Sequence, residues 1–164
     1  MSIRSSAGFT LIELMVVIGV LGLLLGIAIP SYFTLRQNVA LGNNADEVVS
    51  ALRLAQSNAT ASQGGKEWGV HFAANQYCIF SQDIGATPPP SDCSGQPSTT
   101  YTLGNYGISI LVFTTVCTPI TTPTNVIFKH LTGTVTAPQS IVVGISCSQL
   151  ETIQVDATGK VSIL

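Results

Sequence analysis

The run from Phe9 to Ile29, FTLIELMVVIGVLGLLLGIAI, most constrains what this chain can become. Its 21 residues carry one charge, Glu13. A helix needs about 20 predominantly apolar residues to cross the hydrocarbon core of a bilayer, so the run is long enough to span. A core helix of a soluble protein shows a polar stripe, and Leu14 to Ile29 shows none. A secretory signal is cut beyond its apolar run at a small-x-small site. Here the run continues through Ala28-Ile29-Pro30-Ser31-Tyr32 into a helical pattern without such a site. The apolar segment is therefore expected to remain in the mature protein.

Glu13 needs a counter-charge. An acidic side chain at the centre of a spanning helix costs roughly 2.5–3.5 kcal/mol, and less near the interface. No Lys, Arg or His occurs from Ser5 to Phe33, so the partner is the processed amino terminus or another molecule. Gly8-Phe9-Thr10-Leu11-Ile12-Glu13-Leu14 resembles the leader-cleavage motif of type IV prepilins and type II secretion pseudopilins. The resemblance implies that a prepilin peptidase/N-methyltransferase cuts between Gly8 and Phe9 and methylates Phe9. It also implies assembly roles for Glu13 and Thr10, and a helix loosened at Gly22, Gly26 and Pro30. Other pilin or pseudopilin subunits become the expected partners.

The resemblance and the cysteines also set the expected orientation. Arg4 and Arg36 leave the positive-inside count nearly tied. All four cysteines (Cys78, Cys93, Cys117 and Cys147) lie beyond the apolar run, and an even number there suggests disulfides in an oxidising compartment. The expectation is a single pass through the bacterial inner membrane, leader in the cytoplasm and globular part in the periplasm, followed by entry into a pilus or pseudopilus. Sequential bridges Cys78–Cys93 and Cys117–Cys147 are preferred among three connectivities, with buried free thiols as the alternative. The spacings contain no CxxC or HxxxH pair, so no metal site is expected.

Charged residues make up 9% of the chain, against about 25% in an ordinary soluble protein. The net charge is −2; loss of residues 1–8 removes Arg4 and leaves five basic and eight acidic residues, or −3. Such a balance offers nucleic acid no electrostatic attraction.

The chain reads as a leader at 1–8, a transmembrane or filament-core helix at 9–30, an amphipathic helix at 31–63 and a β-rich globular domain at 64–164. Gly19, Gly22 and Gly26 share part of one helix face. They either let helices approach closely in lipid or reflect the ordinary abundance of Gly in membrane helices. Leu41, Ala45, Val48, Leu52, Ala55 and Ala59 form one helical stripe. Gly42-Asn43-Asn44 interrupts it, and Asn44 with Glu47 forms a capping-box pattern, so a kink or a second helix start is expected there. Gln63-Gly64-Gly65 is the expected stop. If continuous, the helix is on the order of 80 Å long at 1.5 Å per residue.

From Trp68 the period falls to two. Trp68–Phe72 and Gln76–Phe80 read as a hairpin, and 83–100, with Pro88-Pro89-Pro90, as a surface loop. Strands are expected at 108–116, 125–129, 140–147, 152–155 and 160–163, with Asp156-Ala157-Thr158-Gly159 as the last turn. The result is an α+β fold, one long N-terminal helix packed on an antiparallel sheet, which the prepilin resemblance identifies as the pilin fold. Leu52–Ala59, Trp68–Phe72, Val126-Ile127-Phe128 with Gly133, Ile153-Gln154-Val155 and Gly159-Lys160-Val161 further resemble the GspH/FimT subgroup of minor pilins and pseudopilins. Gln56 and Asn58 stand where that subgroup usually has basic residues.

Nothing in the sequence points to catalysis or a cofactor. His71 and His130 read as strand-surface or partly buried residues, and Trp68 as packing at the helix–sheet junction. Asp46 and Glu47, adjacent on a helix, do not face each other and read as a solvated face. No GxGxxG, Walker, HExxH or GxSxG pattern occurs. The leading expectation is a minor pilin-like structural subunit. The alternatives are a pilus-associated DNA receptor for DNA uptake, disfavoured by five basic against seven acidic residues in 31–164, a major pilin, and last an enzyme.

Overall fold

The computed structural model describes residues 9–89, 91, 93, 99–103, 107–112, 118–119, 124–146 and 149–164, with backbone only at 28, 30, 111, 112, 118 and 119. Among the described residues one α-helix, α1 (Leu11–Thr60), and a short 3-10 turn (Gln63–Gly65) precede nine strands: β1 (Glu67–Phe72), β2 (Gln76–Gln82), β3 (Thr100–Thr102), β4 (Ser109–Val112), β5 (Thr118–Pro119), β6 (Thr124–Phe128), β7 (Gln139–Ser146), β8 (Gln149–Val155) and β9 (Val161–Ile163). The fold is α+β with antiparallel sheets. Two compact units divide at Gln37/Asn38, inside α1.

In the second unit the helical stripe does what its spacing requires. Leu41, Ala45, Val48, Leu52, Ala55 and Ala59 are all buried, joined by Val49 and Ala51. They share one core with Val70, Phe72, Tyr77 and Ile79 of the hairpin, Val126 and Phe128 of β6, and Ile141, Val143, Ile153 and Val155 of β7 and β8. The alanines keep the helix surface low, so large side chains from the sheets can close on it.

The helix neither kinks nor restarts at Gly42-Asn43-Asn44; it is unbroken from Leu11 to Thr60. The capping box expected at Asn44 does not form, because Asn44 Nδ2 donates to the Ala40 carbonyl one turn back, at 2.7 Å. A glycine in a helix interior costs about 1 kcal/mol relative to alanine. Burial of Leu41, Ala45 and Val48 on either side outweighs that at roughly 1.5–3 kcal/mol for a fully buried Leu or Val.

The strands form two sheets rather than the one expected. The first has the order β3-β2-β1-β6 and the second β5-β4-β7-β8-β9. Nine strands in one twisted open sheet approach the size at which sheets split or curl. Two smaller sheets let each contribute one apolar face to the same core. The turn after β1 joins them: the Asn75 carbonyl accepts from Leu103 N–H and the Ala74 carbonyl from Ile110 N–H.

The β1–β2 hairpin is buried on both faces. Val70, Phe72, Tyr77 and Ile79 enter the main core, whereas Gly69, His71, Cys78 and Phe80 are buried on the opposite side. Gly69 sits across from Phe80; a Cβ there would come within 2.6 Å of the Val126 carbonyl oxygen. Cys78 is bridged to Cys93, pinning the Pro-rich loop to this face at a point just past its three prolines. Cys117 and Cys147 lie outside the described residues.

The short strands β3 and β5 were not expected. β3 falls at the end of the segment read as loop, and β5 is two residues long. The strand expected at 108–116 is observed as β4, residues 113–116 lying outside the described set, and β8 begins three residues before its expected start. The last turn forms as read. Asp156 Oδ1 accepts from Thr158 N–H (2.8 Å), the Thr158 hydroxyl (2.6 Å) and Lys160 N–H (3.0 Å), and Gly159 has φ +87°.

Candidate functional site

The first unit is the chemistry-bearing segment singled out above. Its helix begins at a side-chain cap. Thr10 Oγ1 accepts from Glu13 N–H at 3.3 Å, and the Thr10 carbonyl accepts from Leu14 N–H at 3.2 Å. Thr10 is thus the N-cap and Glu13 the N3 residue of a T-x-x-E pattern, which satisfies one of the four donors left unpaired at a helix start. In the sequence Thr10 draws a role from resemblance alone, although Thr10 and Glu13 also carry the spacing of a cap. Glu13 stands within the first turn, where the positive end of the helix macrodipole favours a carboxylate. Gly8 lies outside the described residues; Phe9, the expected new amino terminus, is 88% exposed.

Every large apolar side chain described from Leu11 to Ile29 is exposed, on all sides of the helix. At roughly 25 cal/mol per Å² of apolar surface, a bare helix of this kind is untenable in water. α1 contains a stretch long and apolar enough to cross a membrane, with mean hydropathy 2.7 and no buried share among the described residues. A Cβ at Gly19, Gly22 or Gly26 would meet no atom within 4 Å among the described residues. The helix continues through Gly22, Gly26 and Pro30.

At the other end of α1, Gln56 meets two glycines of the narrower likeness, Gly133 and Gly159. Gln56 Nε2 donates to the Gly133 carbonyl at 3.2 Å. A Cβ on Gly159 would lie within 2.5 Å of Gln56 Nε2, and closer still to the Gly133 carbonyl oxygen. The loop after β6 completes the helix terminus, Leu131 N–H donating to the Ala59 carbonyl at 3.0 Å. Ser62, in the left-handed region at φ +56°, has its Oγ 2.6 Å from His130 Nε2. Trp68 packs against the core and donates its indole N–H to the Gln63 carbonyl at 3.0 Å. These contacts build a corner where the helix end, the β6–β7 loop and the β8–β9 hairpin are held together.

His71 corrects an expectation. It is 1% exposed, not a strand-surface residue, and its Nδ1 lies 2.7 Å from Asn125 Oδ1 on the paired strand. Two-sided burial of the hairpin, which a period-two reading misses, is the cause. Among the described residues no group of three or more His, Cys, Asp or Glu gathers in metal-binding geometry.

Asp46 and Glu47 are exposed on α1 as expected, but they do not face open solvent alone. They border a cavity of about 400 Å³ shared with Ser50, Ala51, Leu54, Tyr77 and Tyr101. No local sequence signal marks this cavity, because Tyr101 belongs to the three-residue strand β3. The rings of Tyr77 and Tyr101 are stacked, centroids 5.1 Å apart and 13° between planes. Burial, with the charge of Glu47 and then Tyr101 adding to it, pushes the Tyr77 phenol from 10.0 up to about 12.

No solved structure matches the chain. Residues 3–29 match the family model of the prokaryotic N-terminal methylation motif, the motif typical of type IV pilins and pseudopilins.

Proposed function

We propose that this chain is a minor pilin-like structural subunit of a type IV pilus or type II secretion pseudopilus, held in the inner membrane and drawn into a filament through the first part of α1. The observation that carries the reading is the methylation motif, which runs into an apolar helix whose large side chains are exposed among the described residues. Cleavage between Gly8 and Phe9 would place a methylated amine two residues before the helix begins. Glu13, one turn inside, is then the counter-charge for that amine on a neighbouring subunit. In an apolar bundle such a pair is strengthened by low dielectric, and either charge left alone is costly. Gly22, Gly26 and Pro30 weaken the helix between the anchor and the globular unit, where it can loosen on packing. Gly133 and Gly159, which meet at the helix end, belong to the segments that resemble the GspH/FimT-like subunits, while Gln56 between them departs from that pattern.

The test is Glu13→Gln and Glu13→Ala in cells that carry the assembly machinery. Membrane insertion and cleavage are expected to persist, with mature protein beginning at Phe9, while recovery in sheared filaments or pseudopili falls by at least about tenfold. Normal incorporation of either variant overturns the pairing. A mature protein beginning beyond Ser31 overturns the subunit reading altogether.

A further inference from the structure

The cavity beside α1 has a chemistry that the filament reading does not use. Asp46, Glu47, Ser50 and Leu54 recur at helical spacing and wall one side of it, and Tyr77 of β2 and Tyr101 of the edge strand β3 wall the other. All belong to the unit from Asn38 onward. Among the described residues neither Asp46 nor Glu47 enters an ion pair; the pair seen is Lys66–Asp83, on another part of the surface. Helix packing does not require acids at these exposed positions. The negative field is felt at the cavity wall, since the charge of Glu47 disfavours ionisation of Tyr77. Two carboxylates beside stacked phenol rings repel anions and attract a cation on both counts, by charge and by the negative face of the aromatic rings.

We infer that this cavity receives the guanidinium of an arginine presented by a neighbouring protein subunit. The planar group stacks on the accessible ring of Tyr101, and its fork of N–H donors reaches Asp46 and Glu47. The Ser50 hydroxyl already donates to the Asp46 carbonyl at 2.8 Å, so its oxygen is left to accept. Leu54, 49% exposed, offers an apolar wall for the arginine methylenes. Lysine fits less well, because a compact ammonium neither stacks nor forks. A cavity of 400 Å³ also leaves room for residues flanking the arginine. Phosphate-bearing partners are repelled. The inference concerns the globular unit and holds whether or not the chain assembles through its N-terminal helix.

The experiment uses the full chain in detergent micelles with ring-labelled tyrosines, titrated with the capped tripeptide Gly-Arg-Gly and its citrulline and lysine counterparts. The arginine peptide is expected to bind saturably and to shift Tyr77 and Tyr101 among the four tyrosines. Affinity is expected to fall at least about tenfold for lysine, and again for arginine in the Asp46→Asn/Glu47→Gln double variant. Neutral citrulline, of the same shape, is expected not to bind. Both substitutions are at exposed helix positions, so the variant folds, which an unchanged thermal transition verifies. Equal binding of citrulline, unchanged arginine binding in the double variant, absence of saturation, or shifts confined to the other tyrosines each overturn the inference.

Discussion

Tyr77 and Gly159 show how much a single residue carries here. Tyr77 is neutral at all ordinary pH, and its folded-state pKa of about 12 lies above the usual 10.0. An unfolded chain releases that proton first, so the raised value leaves stability intact below pH 10 and removes it as pH climbs from 10 towards 12. Spectrophotometric titration should show one tyrosinate appearing late. In Glu47→Gln that transition should move down, while burial keeps it above 10. At Gly159, φ of +87° and the Gly133 carbonyl oxygen, which stands where a Cβ would go, exclude a side chain. Gly159→Ala should destabilise the globular unit by about 1–3 kcal/mol, measured as a lower urea midpoint with unchanged slope. Gly42→Ala, in open space on the same helix that holds Gln56, should instead be neutral or stabilising. Asp156, held below the usual carboxylate range by the Thr158 hydroxyl and by the Lys160 and Thr158 amides, adds stability that is present at neutral pH and fades as acid protonates it.

Among the elements, the loop bridged by Cys78 and Cys93 is the clearest to test. The bridge spans 15 positions, a loop for which chain entropy predicts about 3 kcal/mol. Cys78→Ser/Cys93→Ser should lose about that much, with the larger share of lost amide protection on the His71–Phe80 face of the hairpin. The elements also show why some of the fold was legible and some was not. α1 was readable because Leu41 to Ala59 repeat every three or four positions, and the hairpin because β-branched and aromatic residues alternate about a tight turn. β3 and β5 were not, since three and two residues of Thr, Tyr and Pro carry no period and form only because a neighbouring strand offers a partner. Asn44 reads as a cap because local propensity favours one, but tertiary burial on either side wins. The Tyr77–Tyr101 cavity was illegible for a related reason: it depends on which strand pairs beside β2, and no local pattern encodes that.

For the whole molecule, the two units make opposite demands on solvent. Phe9 to Ile29 is apolar on every side, while the unit from Asn38 onward closes a core of its own from the helix stripe and both sheets. A chain beginning at Asn38 is expected to be soluble without detergent and to unfold in one cooperative transition, whereas the chain from Phe9 should require lipid or micelles. Precipitation of the shortened chain, or a non-cooperative melt, would mean that the N-terminal segment is needed for the globular unit to form.

The knot of contacts among Gln56, Gly133 and Gly159 ties Gln56 to positions 77 or more residues further along the polypeptide. A ribosome finishes making the helix long before it makes the glycine that locks against it. Until β8 and β9 have been made, the carboxyl end of that helix has no lid and the hairpin that seats on it does not exist. Closure of this corner therefore waits on the β8–β9 hairpin, and a chain cut before Asp156 should leave the helix end uncovered and the globular unit unable to close.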